Sequence, residues 1–509
     1  MRVFGRQIRG GVRGGTAVAA RQRVRVETMR RPGRWRLWGT AGVMTVALVT
    51  GGSGFASASS AAPKARGQAG RAASVAATGP VSPNPASGTP HLLRKTSPEN
   101  MIRQIVQCRN VMYAVGRFSK IIWNGTTYSR DNIFSFHAIA PYSITSWNPG
   151  TNGKVNSIAL SSDCSRAYIG GDFTTVHGTP ADHLANVQTS TGTVVLSWPR
   201  QANKAVNTLL LTPNGHLLVG GLFTTINGDA NHPYLASLSP STGAVEAYLN
   251  LKISGHYHYC DNTGRCSVRF ATQIYNQQLS HSGTLVLEEG VFTSAGGKAR
   301  QQIFMLDLAA SPATVTGWTS PEWDGSKGNL PAGYAYQCWF DESFYVRSAA
   351  WSPDDSTIYL GTTGFQPWNS ESSSPRTGLC DSTSAFPATH ASVTHLWINY
   401  TGCDSLYAAA ADSSAVYVGG HPRWLNNSSG CNVAGPNAIP YGGMQALHPD
   451  SGAPVLNPSG KARYSMARAN ADDMLVTRTG LWIASTNRFG SDVCNHVSSH
   501  AGICFLPYE

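Results

Sequence analysis

Charge is scarce in this chain. Of 509 residues only 13% are Asp, Glu, Lys or Arg. That poverty, beside 53 Gly and 28 Pro, disfavours long charged helices and favours many short strands and turns. Positive charge is missing where a nucleic-acid binder needs it. The chain is +12 overall, but residues 1–77 carry 14 Lys/Arg against the single acid Glu27, and residues 78–509 carry 25 Lys/Arg against 26 Asp/Glu. The remainder is therefore −1, which excludes a general electrostatic grip on phosphates. No CxxC pair occurs, so the usual zinc spacing is absent and no metal site is expected. There is no GxSxG, HExxH, P-loop or dinucleotide fingerprint, so no catalytic motif or bound cofactor is expected either.

What is present begins with a leader. Arg30, Arg31, Arg34 and Arg36 precede an apolar run from Leu37 to Phe55, and Ala56-Ser57-Ala58 supplies small residues for cleavage. That order reads as a secretory signal peptide over 1–58, with Met29 as an alternative start. The run is short and interrupted by Gly and Thr, so no membrane insertion is expected after cleavage. Residues 59–89, rich in Ala, Ser, Gly and Pro, read as a flexible stalk. All ten cysteines follow residue 100, and an even number behind a signal peptide implies disulfides and an extracellular location.

From residue 90 onward the sequence repeats. Ala167-Tyr-Ile-Gly-Gly-Asp-Phe173 recurs as His216-Leu-Leu-Val-Gly-Gly-Leu-Phe223, with weaker copies at Tyr113–Phe118, Leu285–Phe292, Ile358–Gly361, Val416–Gly420 and Leu481–Ser485. Around each copy lie four short strand signals separated by turn residues. Repeated four-strand units of this size predict an all-β fold, a single seven-bladed β-propeller over 90–509. A Trp ends the outermost strand at Trp147, Trp198, Trp318 and Trp397, and reads as packing between blades.

The phrase Tyr-Ile-Gly-Gly-Asp-Phe-Thr-Thr-Val-His-Gly178, followed by a Thr-Gly192 turn and Trp198, resembles secreted bacterial β-propellers of the delta-60 repeat type. The resemblance implies the propeller fold and an extracellular or surface location. It carries no catalytic motif that transfers to this chain.

The seventh unit lacks its outer strand, and Pro90–Lys95 is expected to supply it, closing the ring from the N-terminus. Long connections fall on one face in units four to seven, at Asn250–Ser267, Thr319–Tyr345, Gly364–Thr383, His421–Tyr441 and Asn487–Ala501. Loops gathered on one face of a rigid scaffold are where binding usually sits. They are rich in aromatics, and Trp339 and Trp368 are expected to meet a ligand. At the channel mouth on that face, repeat alignment puts Arg103, Asn156, Asn207, Arg347 and Asp472 in one ring, with Asn276 or Arg269 in unit four. Two further groups are flagged. Glu288-Glu289 replaces small residues in a strand, where burial would shift a carboxyl. His256 and His258 share one side of an extended run, but no third metal ligand accompanies them. Asp341-Glu342 is the better-placed acid pair. The propeller register pairs Cys108 with Cys164, Cys260 with Cys266, Cys338 with Cys380, Cys403 with Cys431, and Cys494 with Cys504.

These features point to a secreted, monomeric binding or interaction module whose partner is an extracellular polymer, glycan or protein. The alternative is a secreted polysaccharide hydrolase or lyase with acids from the insertion loops.

Overall fold

The computed structural model describes residues 79–93, 100–260, 266–323, 346–363, 379–402, 404–430, 432–464, 471–486 and 501–509. The leader, residues 94–99 and most of the insertions at 324–345, 364–378 and 487–500 lie outside them. Among the described residues the only helical element is a short 3-10 turn, Pro321–Trp323, and everything else regular is strand.

Among the described residues seven antiparallel sheets share one order, in which each strand pairs with the next strand of its own sheet and small two- or three-stranded ribbons intervene in several connections. Their first strands are Met101–Cys108, Val155–Leu160, Val206–Leu211, Gln273–Leu279, Val346–Trp351, Leu406–Ala411 and Ala471–Thr477, and these number the sheets below. Sheets three, four and five have a fourth strand. In sheets one, two and six it shrinks to single bridges, Phe136 to Ile144, Val187 to Val194 and Leu447 to Pro454. The first strand of each sheet lies against the first strand of the next, and that of sheet seven lies against that of sheet one. The sheets therefore radiate from a shared centre, which is the β-propeller architecture.

This packing explains why the strands read as nearly continuous apolar runs. Val155–Leu160 is buried at every position because each sheet is covered on both faces. The core is accordingly divided into seven clusters, one between each pair of neighbouring sheets. One of them joins Trp482, Ile503 and Phe505 of sheet seven to Ile102, Phe134 and Phe136 of sheet one.

The terminal tryptophans staple neighbouring sheets. The indole N–H of Trp147 donates to Gln188 O at 2.9 Å, Trp198 to Pro240 O at 3.1 Å, Trp318 to Pro387 O at 3.0 Å and Trp397 to Pro449 O at 2.8 Å. In every case the acceptor lies at or just beyond the third strand of the following sheet. Tyr248 does the same between sheets three and four, its hydroxyl donating to Leu308 O at 2.6 Å. The turn glycines serve these rings: a Cβ on Gly452 would sit 2.3 Å from Trp397 Cε3.

The N-terminal segment packs earlier in the chain than the stalk reading allows. Val81 is fully buried. The amides of Ser82, Ala86 and Leu92 donate to Pro507 O, Phe505 O and Ala501 O at 2.8, 2.9 and 2.7 Å. The segment thus runs along the outer edge of Ile503–Pro507, the third strand of sheet seven. His91–Leu92 pairs with Lys120–Trp123 instead. Residues 94 and 95 of the expected closing strand lie outside the described residues.

Candidate functional site

One irregularity is common to all seven sheets and builds the site. In sheet two Val155 faces Gly171 and Ser157 faces Gly170, so Asn156 has no partner across the ladder. A β-bulge of this kind re-aims one side chain. The same slip isolates Arg103, Asn207, Tyr275, Arg347, Tyr407 and Asp472 in the other sheets. All seven side chains line one central cavity of about 70 Å³. At 10–15 Å³ per enclosed water, it holds roughly five to seven waters or one small polar group.

The repeated glycine phrase is the imprint of this bulge. A Cβ on Gly171 would lie 2.2 Å from Lys154 O, and on Gly116, Gly290 and Gly420 it would lie 2.0, 2.1 and 2.1 Å from the matching carbonyl. The preceding glycine has another duty. A Cβ on Gly170 would lie 2.4 Å from Val206 Cγ1, so its absence lets the next sheet approach.

Hydrogen bonds between first strands hold the ring. Asn156 Nδ2 donates to Val206 O at 3.1 Å, and Asn207 Nδ2 to Gln273 Oε1 and Ile274 O, both at 2.9 Å. In sheets one, two and seven the residue after the bulge adds a second tie. Gln104 Oε1 accepts from the Ile158 amide at 2.7 Å, Ser157 Oγ from Leu209 at 3.0 Å and Asp473 Oδ2 from Ile105 at 3.0 Å.

The arginines meet on one ring. The guanidinium carbon of Arg103 lies 5.1 Å from the Tyr275 ring centre, and that of Arg347 lies 5.8 Å from it, both within cation–π range. Arg103 Nη1 also donates to Asp472 O at 3.3 Å. Burial works to lower the Arg103 pKa, but Tyr275, Asp472 and Asp473 outweigh it and the net shift is upward. The guanidinium is thus firmly charged.

A polar chain leads from the ring into the following connection. Tyr407 OH and His421 Nε2 are 3.1 Å apart. His421 Nδ1 lies 3.6 Å from Asp404 Oδ1, and Asp404 Oδ2 accepts from Arg423 Nε at 2.7 Å. Burial would raise the Asp404 pKa, yet hydrogen bonds from His421 and Arg423 hold it below the usual range. His421 follows the second strand of sheet six, Val416–Gly420, at the start of a long connection.

The structure brings Arg103, Asn156, Asn207, Arg347 and Asp472 into this one ring. In unit four the expectation is corrected. The bulge residue is Tyr275, one position before Asn276, which lines the cavity from the next register position. Arg269 belongs to a separate hairpin, Cys266–Phe270 with Tyr257–Cys260, outside the sheet's first strand. Sequence reasoning missed Tyr275 and Tyr407, although each directly follows an apolar residue near the start of its first strand, as Arg103 follows Ile102. Trp339, Trp368 and Asp341-Glu342 lie outside the described residues. Among the described residues no cluster of three potential metal ligands occurs. Glu288 and Glu289 are both fully buried, and neither lines the cavity.

Cys108 and Cys164 form a disulfide across sheets one and two. Cys380 and Cys504 are also disulfide-bonded, and the backbones of Cys260 and Cys266 are partners in their hairpin. Cys338, Cys403, Cys431 and Cys494 lie outside the described residues.

No family model matches the chain. No curated protein matches it. Among solved structures, one described as U3-55K aligns with a TM-score of 0.44 and 8% identity, over 83% of this chain and 100% of that one. Another, the WD40 repeats of RRP9, aligns with a TM-score of 0.41 and 9% identity, over 84% of this chain and 99% of that one.

Proposed function

We propose that this chain is a secreted or cell-surface binding module, a seven-bladed propeller closed by its own N-terminal segment. Its ligand face is the end where the bulges and the long connections meet. One observation carries the reading: seven bulge side chains of mixed chemistry converge on one cavity. Each bulge lies across the ladder from the end of a second strand, where the next connection begins. A scaffold tied this tightly between strands offers a fixed polar mouth framed by variable loops, the arrangement expected of a recognition surface.

The leader, the disulfides and the near-zero charge of residues 78–509 support an extracellular place of action and a polymer, glycan or protein partner. The repeat phrase supports kinship with the delta-60 type. The module acts as a monomer, without cofactor, metal or nucleic acid. A glycan array run beside a peptide array tests the reading. Specific binding is expected, and Trp339→Ala with Trp368→Ala should abolish it while the melting temperature stays within a few degrees. Equal loss of binding and stability would make these rings local core. A gel shift with DNA at physiological salt would contradict the partner class.

A further inference from the structure

The chain from Tyr407 to Arg423 has more order than a loop anchor requires. A phenol that lines the cavity touches one imidazole nitrogen, and the other nitrogen faces a carboxylate fixed by an arginine. An oriented base beside a hydroxyl is the arrangement that activates that hydroxyl. Asp404 stays ionised, so it favours the imidazolium that forms when His421 takes the phenol's proton. The charged or titratable groups identified around His421 are Asp404, Arg423, Tyr407 and Tyr441, the last of which feels Asp404. Tyr441 is held protonated by burial first and by Asp404 second. Arg347, at the same bulge position in the neighbouring sheet, brings a guanidinium to the same cavity, and Arg103 brings another.

We propose that Tyr407 is the acid and base of a proton-transfer site at the channel mouth, acting on a carboxylate-bearing sugar polymer by β-elimination. The inference rests on the long-loop face being the ligand face and goes beyond binding. The chemistry needs two things together. A base must reach the hydrogen on the carbon beside a carboxylate, and cations must stabilise the negative charge that develops there. The ring offers Tyr407 for the first and Arg347 with Arg103 for the second. The cavity has room for the acid group of one sugar, with the chain lying across the mouth.

The step balances without a co-reactant. His421 Nε2 takes the Tyr407 hydroxyl proton, and the phenolate removes the carbon-bound hydrogen. The C–H electron pair becomes a C=C bond as the neighbouring C–O bond breaks. The departing oxygen takes the proton that Tyr407 has just gained, and His421 returns its own proton to the phenolate. One chain becomes two, one of them ending in an unsaturated acid sugar.

The test incubates the full chain with alginate, polygalacturonate and hyaluronan, and reads the ultraviolet absorbance of the new double bond. Absorbance should rise with at least one polymer. Tyr407→Phe should slow it about 10²–10⁴-fold. Arg347→Gln should lower kcat by about 10²-fold or more. His421→Gln should move the acid limb of the pH–rate profile, which a purely structural role would not do. If Tyr407→Phe melts early, that pH profile decides. No unsaturated product from any of the three polymers overturns the inference, as does a wild-type rate in a folded Tyr407→Phe. Array binding without cleavage overturns it and leaves the binding module standing. Cleavage that survives loss of all array binding would sink the module reading alone.

Discussion

Tyr464 donates its hydroxyl to Val81 O at 2.9 Å across more than 380 residues of chain. At five other junctions the same role is played by Trp147, Trp198, Tyr248, Trp318 and Trp397, and the acceptor belongs to the next sheet's third strand or the turn after it. Between sheets six and seven the acceptor comes from the N-terminal segment. Val81 thus supplies at this junction the acceptor that a third strand or its turn supplies at the others.

Truncation should therefore divide sharply. Removing residues 1–78 is expected to leave thermal stability unchanged. Removing residues 1–88 deletes Val81, whose amide also donates to Tyr417 OH at 3.0 Å, together with the Ser82 and Ala86 hydrogen bonds. At about 1 kcal/mol for each of these three hydrogen bonds and the one from Tyr464, and about 1.5–3 kcal/mol for a buried valine, the loss is roughly 5–7 kcal/mol. A thermal melt of the two truncations compares them. Equal midpoints would show that the segment is only laid on the edge.

The glycine phrase gives a second expectation. Gly171→Ala would push a Cβ into Lys154 O, a backbone atom fixed by the bulge. The expected cost is roughly 3 kcal/mol, the upper end of overpacking. Gly79→Ala meets nothing within 4 Å and is the control. Denaturant midpoints decide, and indistinguishable values would mean the bulge can relax.

The disulfides yield a third. The Cys108–Cys164 bond spans 56 residues, and the double change to Ser should cost about 2–4 kcal/mol, mainly by freeing the unfolded chain. Non-reducing peptide mapping should link Cys380 to Cys338 and Cys504 to Cys494. A Cys380–Cys431 link would break the assignment of sheets five and six.

The fold was legible because its signals are local. A glycine pair marks the second strand in sheets two, three and six, and a Thr-Gly turn followed by Trp198 marks a sheet junction. Five members of the ring can be aligned because an apolar residue directly precedes each of them, as Val155 precedes Asn156. Tyr275 was displaced by one because the Asn250–Ser267 insertion obscures where that strand begins. Tyr407 was lost because an aromatic in a strand reads as core, and its partner His421 is brought close only by pairing of strands. The N-terminal segment reads as a linker for a chemical reason. Pro80, Pro83 and Pro85 give it a linker's composition, since proline has no amide to donate. Yet Ser82 and Ala86, between and after them, supply the amides that the edge of sheet seven needs.

Glu288 carries the last expectation, and its sign follows from burial. The side chain is fully buried; Oε1 accepts from Gln277 Nε2 at 2.8 Å, and Oε2 has no hydrogen-bond partner. Burial drives its pKa well above the ordinary carboxylate range, the Gln277 hydrogen bond opposes this, and Glu289 adds to the rise. The folded protein thus holds a proton that the unfolded chain gives up in the ordinary carboxylate range. Stability from this residue is complete below that range and declines as pH rises through and above it, because holding or losing the proton then costs free energy. Glu288→Gln keeps the size and the acceptor for Gln277 and removes the titration. The variant should be more stable than the parent at pH 8, and the advantage should shrink steadily toward pH 4. Melting temperatures across that interval measure it. A constant difference between the two proteins at every pH would show that Glu288 is not protonated in the fold, and that the orphaned Oε2 is satisfied in some other way.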